Sequence, residues 1–505
     1  MKILPIEKIR EADAYTIEHE PIEDIDLMER AAGRLREWFI KHIDKNRNVM
    51  IFCGAGNNGG DGFALGRMLA GDGYRVDIVA VWYSGKLSPS CKINYDRAVK
   101  KKIGMTDLKP DDKLPEIKNE PVVVDALFGS GLSRPVKGFP ARVIDHINQS
   151  EATIISIDAP SGLFCDETNT GHKGSIIHAC NTLTFQFPKL GFVFPENHPY
   201  VGDWEVLDIG LHPEYIRNVE VKNHYLQMND LRPVIKKRSK FDHKGVYGHG
   251  LLISGGYGKM GAAVLAASAG LRSGAGLISA HIPRKGYQIL QTAVPEAMVS
   301  IDENDDQFTG LKDMDPYNAI AVGPGIGTSE ETARALKLLI QNSALPVLFD
   351  ADAINILGEN KTWIPFVPKL SIFTPHPKEF ERLAGHAADN FERNRMQREF
   401  SIKYTSYVVL KGAHTAVTCP DGSCYFNSTG NPGMATGGSG DVLTGILLGL
   451  LASGYKPKEA CLLGVYLHGL AADLAAESTG YEALIAGDII RNLPGAFKQI
   501  SGTSE

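Results

Sequence analysis

The chain has 505 residues, 43% of them hydrophobic and 22% charged, with a formal net charge of −6. This composition excludes a disordered chain, and the slight acidic excess excludes the basic footprint of a nucleic-acid binder. One hydrophobic core rarely grows beyond roughly 250–300 residues, so at least two domains are expected. The opening MKILPIEKIREADAY lacks the apolar core of a secretory signal. No uninterrupted apolar run reaches the roughly 18–20 residues of a membrane span. The seven cysteines are odd in number and scattered, which fits a reduced, cytoplasmic protein.

In the first half, Val/Ile/Leu runs at Val49–Cys53, Val76–Val81, Val122–Leu127 and Thr153–Asp158 are bounded by Gly, Pro or Asn. Such continuous apolar runs suit strands buried on both faces of a parallel sheet. Amphipathic stretches such as Gly62–Ala70 lie between them, which makes a βαβ pattern and an open, doubly wound sheet. Between Val219 and Lys240 the pattern breaks at Pro233 and several charges, and the domain boundary is placed near residue 222. The run Lys236-Lys237-Arg238-Ser239-Lys240 reads as a solvated linker. The alternation then resumes, with strands expected at Gly250–Ser254, Leu277–Ile282, Ala319–Val322, Val347–Asp350, Ser371–Thr374 and Ser406–Leu410. Cys419 and Cys424 flank the turn Pro420-Asp421-Gly422 and are expected on two arms of a hairpin. Val442–Leu451 reads as a buried helix, too short for a membrane span.

The densest chemistry in the first half is the stretch Cys53 to Gly62, CGAGNNGGDG, which follows a strand and opens a helix. Its glycines allow close backbone approach, and a helix N-terminus favours an anion. Asn57 and Asn58 add amide oxygens that suit a cation or a ligand. Two further strand ends carry an acid and a glycine loop, Asp125 to Leu132 and Asp158 to Gly162. In open α/β sheets ligands bind beyond the carboxyl ends of the strands, so the three stretches should share one crevice. In this order, N-N-G-G-D-G, V-D-A-L-F-G-S-G-L and I-D-A-P-S-G resemble the YjeF N-terminal domain, the NAD(P)H-hydrate epimerase family. Leu27 to Gly33 resembles its opening helix. The resemblance implies a Rossmann-like three-layer domain over residues 1–222. It implies a substrate site at Asn57, Asn58, Gly59, Gly60, Asp61, Gly129, Ser130, Gly131, Leu132, Ser133, Arg134, Pro135 and Asp158. It also implies a potassium ion on Asn58, Asp125 and Ser161, oxygen donors that suit a hard cation. Asp158 is expected to handle the proton while Asp125 holds the cation.

In the second half, Asn431 to Leu443 (NPGMATGGSGDVL) runs a glycine loop straight into an apolar helix, so amides and helix dipole face an anion. Asp441 stands at its mouth, placed to take a proton from a hydroxyl that attacks a phosphate. V-G-P-G-I-G, D-A-D-A-I-N, T-P-H-P-K-E and L-K-G-A-H-T fall at other strand ends. With G-G-S-G-D-V-L-T-G they resemble the NAD(P)H-hydrate dehydratase domain, which is of ribokinase-like α/β fold, over residues 223–505. The resemblance implies a nucleotide site at Lys411, Gly412, Ala413, His414, Thr415 and Gly440, and a substrate site at Ala262, Gly325, His376 and Asp441. It further implies Mg²⁺ with ADP or ATP, and a homo-oligomer. The fused arrangement points to a bacterial chain and so to ADP. The Walker-type G-x-x-x-x-G-K-[ST] signature is absent. A kinase of a small hydroxylated metabolite and a non-enzymatic nucleotide sensor are the alternatives. A stable phosphorylated product would favour the first, and binding without turnover the second.

Overall fold

A computed structural model describes residues 1–311 and 313–502. The chain divides into two compact units. The first comprises Lys2–Val221 and Asp389–Phe391, and the second Met1, Lys222–Ala388 and the chain from Glu392 onward.

The first unit is built on seven strands: β1 (Asn48–Cys53), β2 (Arg75–Val81), β3 (Gly104–Leu108), β4 (Val122–Ala126), β5 (Thr153–Ile157), β6 (Asn181–Phe185) and β7 (Asp203–Leu207). They lie in the order β3-β2-β1-β4-β5-β6-β7 and every pairing is parallel. Val49 pairs with Val76 on one side and Val122 on the other, which sets β1 between two other apolar strands. Separate apolar clusters cover the two faces. Leu35, Phe39, Phe63 and Leu69 pack with one, and Val143, Ile144 and Ile147 with the other. This is the three-layer arrangement expected. Strands β3, β6 and β7 were not anticipated. Only Leu108 of β3 is buried, and β6 buries two threonines, Thr182 and Thr184, so neither offers an apolar run. The helix after β1 spans Asn57–Gly71 and not merely Gly62–Ala70, since Gly60 N–H already donates to Gly56 O at 3.2 Å. The Asn-Gly stretch is therefore the first turns of a helix.

The strands of the second unit are β8 (Asn223–Leu226), β9 (His249–Ile253), β10 (Leu277–Ile282), β11 (Met298–Ile301), β12 (Ala319–Val322), β13 (Val347–Phe349), β14 (Ile372–Phe373), β15 (Tyr407–Leu410), β16 (Ala416–Thr418) and β17 (Cys424–Asn427). Their order is β8-β17-β16-β15-β14-β13-β12-β9-β10-β11. The pairings are parallel except β15–β16 and β16–β17, and that hairpin carries Cys419 and Cys424 near its turn. The basic run is solvent-exposed as expected, and two of its cations are anchored. Lys236 Nζ donates to Gly454 O at 2.5 Å and Arg238 to Gly274 O at 2.6 Å, just past the ends of helices Ser439–Ala452 and Met260–Arg272. Cations are favoured there by the partial negative charge of a helix C-terminus. The helix Pro457–Thr479 is long and apolar enough to cross a membrane, but 67% of its most apolar window is buried. Ala460, Leu463, Leu467 and Ala471 belong to the core of this unit.

The helices Met260–Arg272 and Ser439–Ala452 touch backbone to backbone. A Cβ on Gly445 would lie 2.1 Å from Ala266 O, so only glycine permits the approach. Gly445→Val should lower the stability of this unit by about 1–3 kcal/mol through overpacking. Urea unfolding followed by circular dichroism would read this as a lowered midpoint.

Candidate active sites

In the first unit a cavity of about 450 Å³ opens beyond the carboxyl ends of the central strands. It is lined by Asn57, Asn58, Asp61, Gly129, Ser130, Gly131, Leu132 and Asp158. Gly59 and Gly60 face inward instead, against the Gly54 carbonyl and the Met28 sulfur. Ser133 lines a neighbouring depression with Arg10 and Asp166, and Arg134 and Pro135 are in neither lining.

Asp158 follows β5 with φ 63, and Gln186, at the end of β6 and in the same lining, has φ 56. Left-handed non-glycine residues cost of order 1–3 kcal/mol and gather where structure is held for function. Asp158 Oδ1 lies 2.9 Å from Lys189 Nζ, and Oδ2 accepts from Ser130 N–H at 3.0 Å. Burial pushes this carboxyl up, but Lys189 and Ser130 outweigh it and hold Asp158 below its ordinary range. A Cβ on Gly129 would come within 3.2 Å of Asp158 Oδ2 and 3.4 Å of Asn58 Cβ, so the glycine lets both side chains close over the loop.

Asp125 is wholly buried at the end of β4. Oδ2 accepts from Ser156 Oγ–H and Ser161 N–H, each at 2.8 Å, and Oδ1 from Ser161 Oγ–H at 2.5 Å and Leu127 N–H at 3.2 Å. Burial raises the Asp125 carboxyl against these bonds. Asn58 is buried with both amide atoms unpartnered, an anomaly among buried polar groups.

Two residues of this site carried no sequence signal. Lys189 is completely buried, and Asp13 reaches the cavity from the helix Ile6–His19. Neither stands in a glycine loop or at a strand end, so only the folded chain brings them to Asp158.

In the second unit Asp441 stands in the first turn of the helix Ser439–Ala452, behind the N-cap Gly438. Burial and the charge of Asp350 raise its carboxyl to about 6, against the pull of Lys411. Lys411 leaves the end of β15, and its Nζ donates to Asp350 Oδ1 at 3.0 Å and lies 3.9 Å from Glu379. A Cβ on Gly440 would lie 3.5 Å from the same Nζ, so Lys411 reaches the helix N-terminus. Burial opposes the ammonium, but Asp350 and Glu379 outweigh it and raise Lys411. Thr444 Oγ–H donates to the other oxygen of Asp350 at 2.7 Å. Asp350 is thus the hub of the site, a role the D-A-D-A-I-N reading had not assigned.

Gly412 and Ala413 are exposed beside Lys411. Thr415 Oγ1 closes their loop on Gly412, and the His414 ring lies 3.1 Å from Asn427 O. Ala262 and Gly325 adjoin, a Cβ on Gly325 falling 3.4 Å from Ala262 Cβ. His376 caps the helix Pro377–Ala384, accepting from Glu379 N–H at 3.2 Å, while 46% of its side chain is exposed. It therefore has a structural task as well as a free edge.

Comparison with known proteins bears on both units. The family described as YjeF-related protein N-terminus matches residues 24–191, and the NAD(P)H-hydrate dehydratase family matches residues 250–495. A bifunctional NAD(P)H-hydrate repair enzyme of Moorella thermoacetica is 35% identical over 499 residues, 95% of this chain and 93% of that protein. The chain belongs to the bifunctional NAD(P)H-hydrate repair enzymes. The enzyme of the same description from Escherichia coli is 32% identical over 88% of this chain and 84% of its own length. A solved Bacillus subtilis ADP/ATP-dependent NAD(P)H-hydrate dehydratase, co-crystallised with ATP and Mg²⁺, is 31% identical, with a TM-score of 0.48 over 55% of this chain and 98% of that one. As a bifunctional repair enzyme the chain joins a Rossmann-like unit to a ribokinase-like one.

Lys189→Met should destabilise the first unit by about 3–5 kcal/mol at neutral pH, because it strands a buried charge. Asp158 is depressed in the folded enzyme, so its stabilisation is present above the carboxyl's ordinary value near 4 and fades as pH falls. The deficit of the variant should therefore shrink between pH 5 and pH 3. Denaturant unfolding at both pH values would detect this, and an equal deficit at both would contradict it.

Proposed function

We propose that residues 1–222 interconvert the R and S forms of hydrated NADH and NADPH. Residues 223–505 then dehydrate the S form at the expense of ADP or ATP, regenerating NADH or NADPH. The observation that carries this reading is a carboxyl set within the field of a lysine ammonium at the strand ends of each unit. Asp158 is held ionised by Lys189, and Asp441 is poised near neutrality beside Lys411.

In the hydrated ring a hydroxyl sits on carbon 6, next to the ring nitrogen. The nitrogen lone pair expels it and leaves a flat iminium, and water returning to the other face inverts the centre. An ionised Asp158 is suited to take the proton of the returning water. The lining from Gly129 to Leu132 would position the ring, with Asn57 and Asp61 opposite. The donor set Asn58, Asp125 and Ser161 fits a potassium ion, because Asn58 Oδ1 is buried without a partner and all the donors are oxygens. A potassium ion there would neutralise the buried Asp125.

In the second unit Asp441 takes the proton of the carbon-6 hydroxyl, whose oxygen attacks the terminal phosphate of the nucleotide. Phosphate is a far better leaving group than hydroxide. Its departure, with loss of a proton from the neighbouring ring carbon, restores the dihydronicotinamide. Lys411, Gly440 and the exposed loop of Gly412 and Ala413 are suited to the nucleotide phosphates, since Lys411 reaches the amide end of a helix. Mg²⁺, when bound, would neutralise charge on those phosphates. Ala262, Gly325 and the exposed edge of His376 would hold the substrate. Self-association is supported by the edge strand β11, where Met298 and Ile301 are 41% and 46% exposed. A cytoplasmic setting is supported by seven unpaired cysteines.

Purified enzyme with mixed R and S hydrated NADH, Mg²⁺, K⁺ and either nucleotide should recover all of the absorbance of the dihydronicotinamide. Asp158→Asn should stop enzymatic epimerisation and leave dehydration of the S form intact. Asp441→Asn should do the reverse. With Asp441 raised to about 6, dehydration should rise with pH through about 6 as the base ionises. A flat rate from pH 5 to 7 would remove Asp441 from that role.

A further inference from the structure

Inverting a hydroxylated centre through an iminium needs two proton-handling groups, one to protonate the departing oxygen and one to receive a proton from the arriving water. Asp158 can serve only one at a time, and Lys189 holds it as a carboxylate. Asp61 lines the cavity too, but it sits 8% exposed inside the first turns of its helix. Asp13 comes from a different element, the helix Ile6–His19, and its carboxyl lines the same cavity as Asp158.

We propose that Asp13 is the second catalytic carboxyl of the epimerase site, the acid that protonates the departing hydroxyl while Asp158 receives the proton of the incoming water. The proposal rests on the epimerase reading of the first unit. As the carbon–oxygen bond breaks, its electron pair goes to oxygen, the Asp13 proton completes a water, and the nitrogen lone pair forms the C=N bond. As the new carbon–oxygen bond forms, the C=N pair returns to nitrogen and the water proton passes to Asp158. The net change is one proton moved from Asp13 to Asp158. Turnover in the opposite sense, or exchange with solvent, resets it.

The surroundings of Asp13 suit that task. Asp158 faces it from the end of β5, Asp61 from the helix after β1 and Asp24 from the helix Asp24–His42. Among the described residues the buried cation beside them is Lys189, and it is already bonded to Asp158. Arg10, one turn before Asp13, lines the cavity but bonds weakly to Gly131 O at 3.5 Å. Burial, then the charge of Asp158, raise Asp13 to about 7 against the pull of Lys189. The group is therefore a protonated acid just below neutrality, and it is lost as an acid above it.

The test is the pH profile of epimerisation by the full-length enzyme, with spontaneous epimerisation subtracted, for the wild type, Asp13→Asn and Asp13→Glu. Epimerisation by the wild type should fall above about pH 7 as Asp13 ionises. Asp13→Asn should lose roughly 10²–10⁴-fold in rate, the usual worth of a positioned acid. Its unfolding midpoint should be kept or raised, since a carboxyl crowded by the charge of Asp158 is removed. Asp13→Glu should recover part of the rate with the alkaline limb displaced. An Asp13→Asn enzyme that epimerises at the wild-type rate, or keeps the alkaline limb, overturns the proposal. If Asp13→Asn fails to fold, Asp13→Glu decides alone, since an unmoved limb is contrary to a proton carried by residue 13. A wild type that binds hydrated NADH yet never epimerises it defeats the epimerase reading itself, and the proposal falls with it.

Discussion

Lys189 is sealed from solvent, and among the described residues its ammonium bonds to Asp158, Thr184 Oγ1 and the Phe187 carbonyl. The rest of the first unit's chemistry depends on that burial. Asp158 and Asp24 lie close enough to Asp13 and Asp61 to raise the cost of charging them. With no cation, the three acids around the cavity, Asp13, Asp61 and Asp158, would drift toward their neutral forms. A single ammonium bonded to one of them separates their behaviour, with Asp158 ionised and Asp13 and Asp61 protonated. Pushing neighbouring carboxyls apart in this way provides an acid and a base at one pH.

The second unit meets the same problem with the same means and a different geometry. Lys411 lies between Asp350, Glu379 and Asp441, and Thr444 takes the remaining oxygen of Asp350. Here the cation is a quarter exposed and reaches a helix N-terminus, so an incoming anion can share it. In the first unit the cation is enclosed and serves only to fix Asp158. The contrast fits a hydration centre that is merely inverted in one site and phosphorylated in the other.

Both sites lie where parallel strands end, and both put strain there. Asp158 and Ala351, each just past a strand, adopt φ 63 and φ 47 without being glycine. The strand pairings and the hydrogen bonds of Asp158 and Asp350 hold these conformations in place. A rigid sheet thus supplies what flexible loops could not, carboxylates whose partners and protonation are set before substrate arrives.

The central strands, the two α/β units and the glycine-bearing strand ends were legible in the sequence, because each rests on local pattern. Apolar runs mark strands buried on both faces, and glycine clusters mark close backbone approach. Asp125, Asp158, Lys411 and Asp441 were legible for the same reason, since they stand inside those stretches. The edge strand β3 was not, because a strand with one buried residue has no apolar signature. Nor was the anchoring of Lys236 and Arg238, since the carbonyls they meet lie far along the chain. Asp13 and Lys189 are 176 positions apart by their numbers (189 − 13) and resemble any surface residue when read singly. Protonation is decided by burial and by neighbouring charge, and both are properties of the folded chain. The sequence by itself therefore determined the architecture and which strand ends bear acids and glycine loops. Only the tertiary structure decided which carboxyls stay ionised, by enclosing one ammonium against one of them.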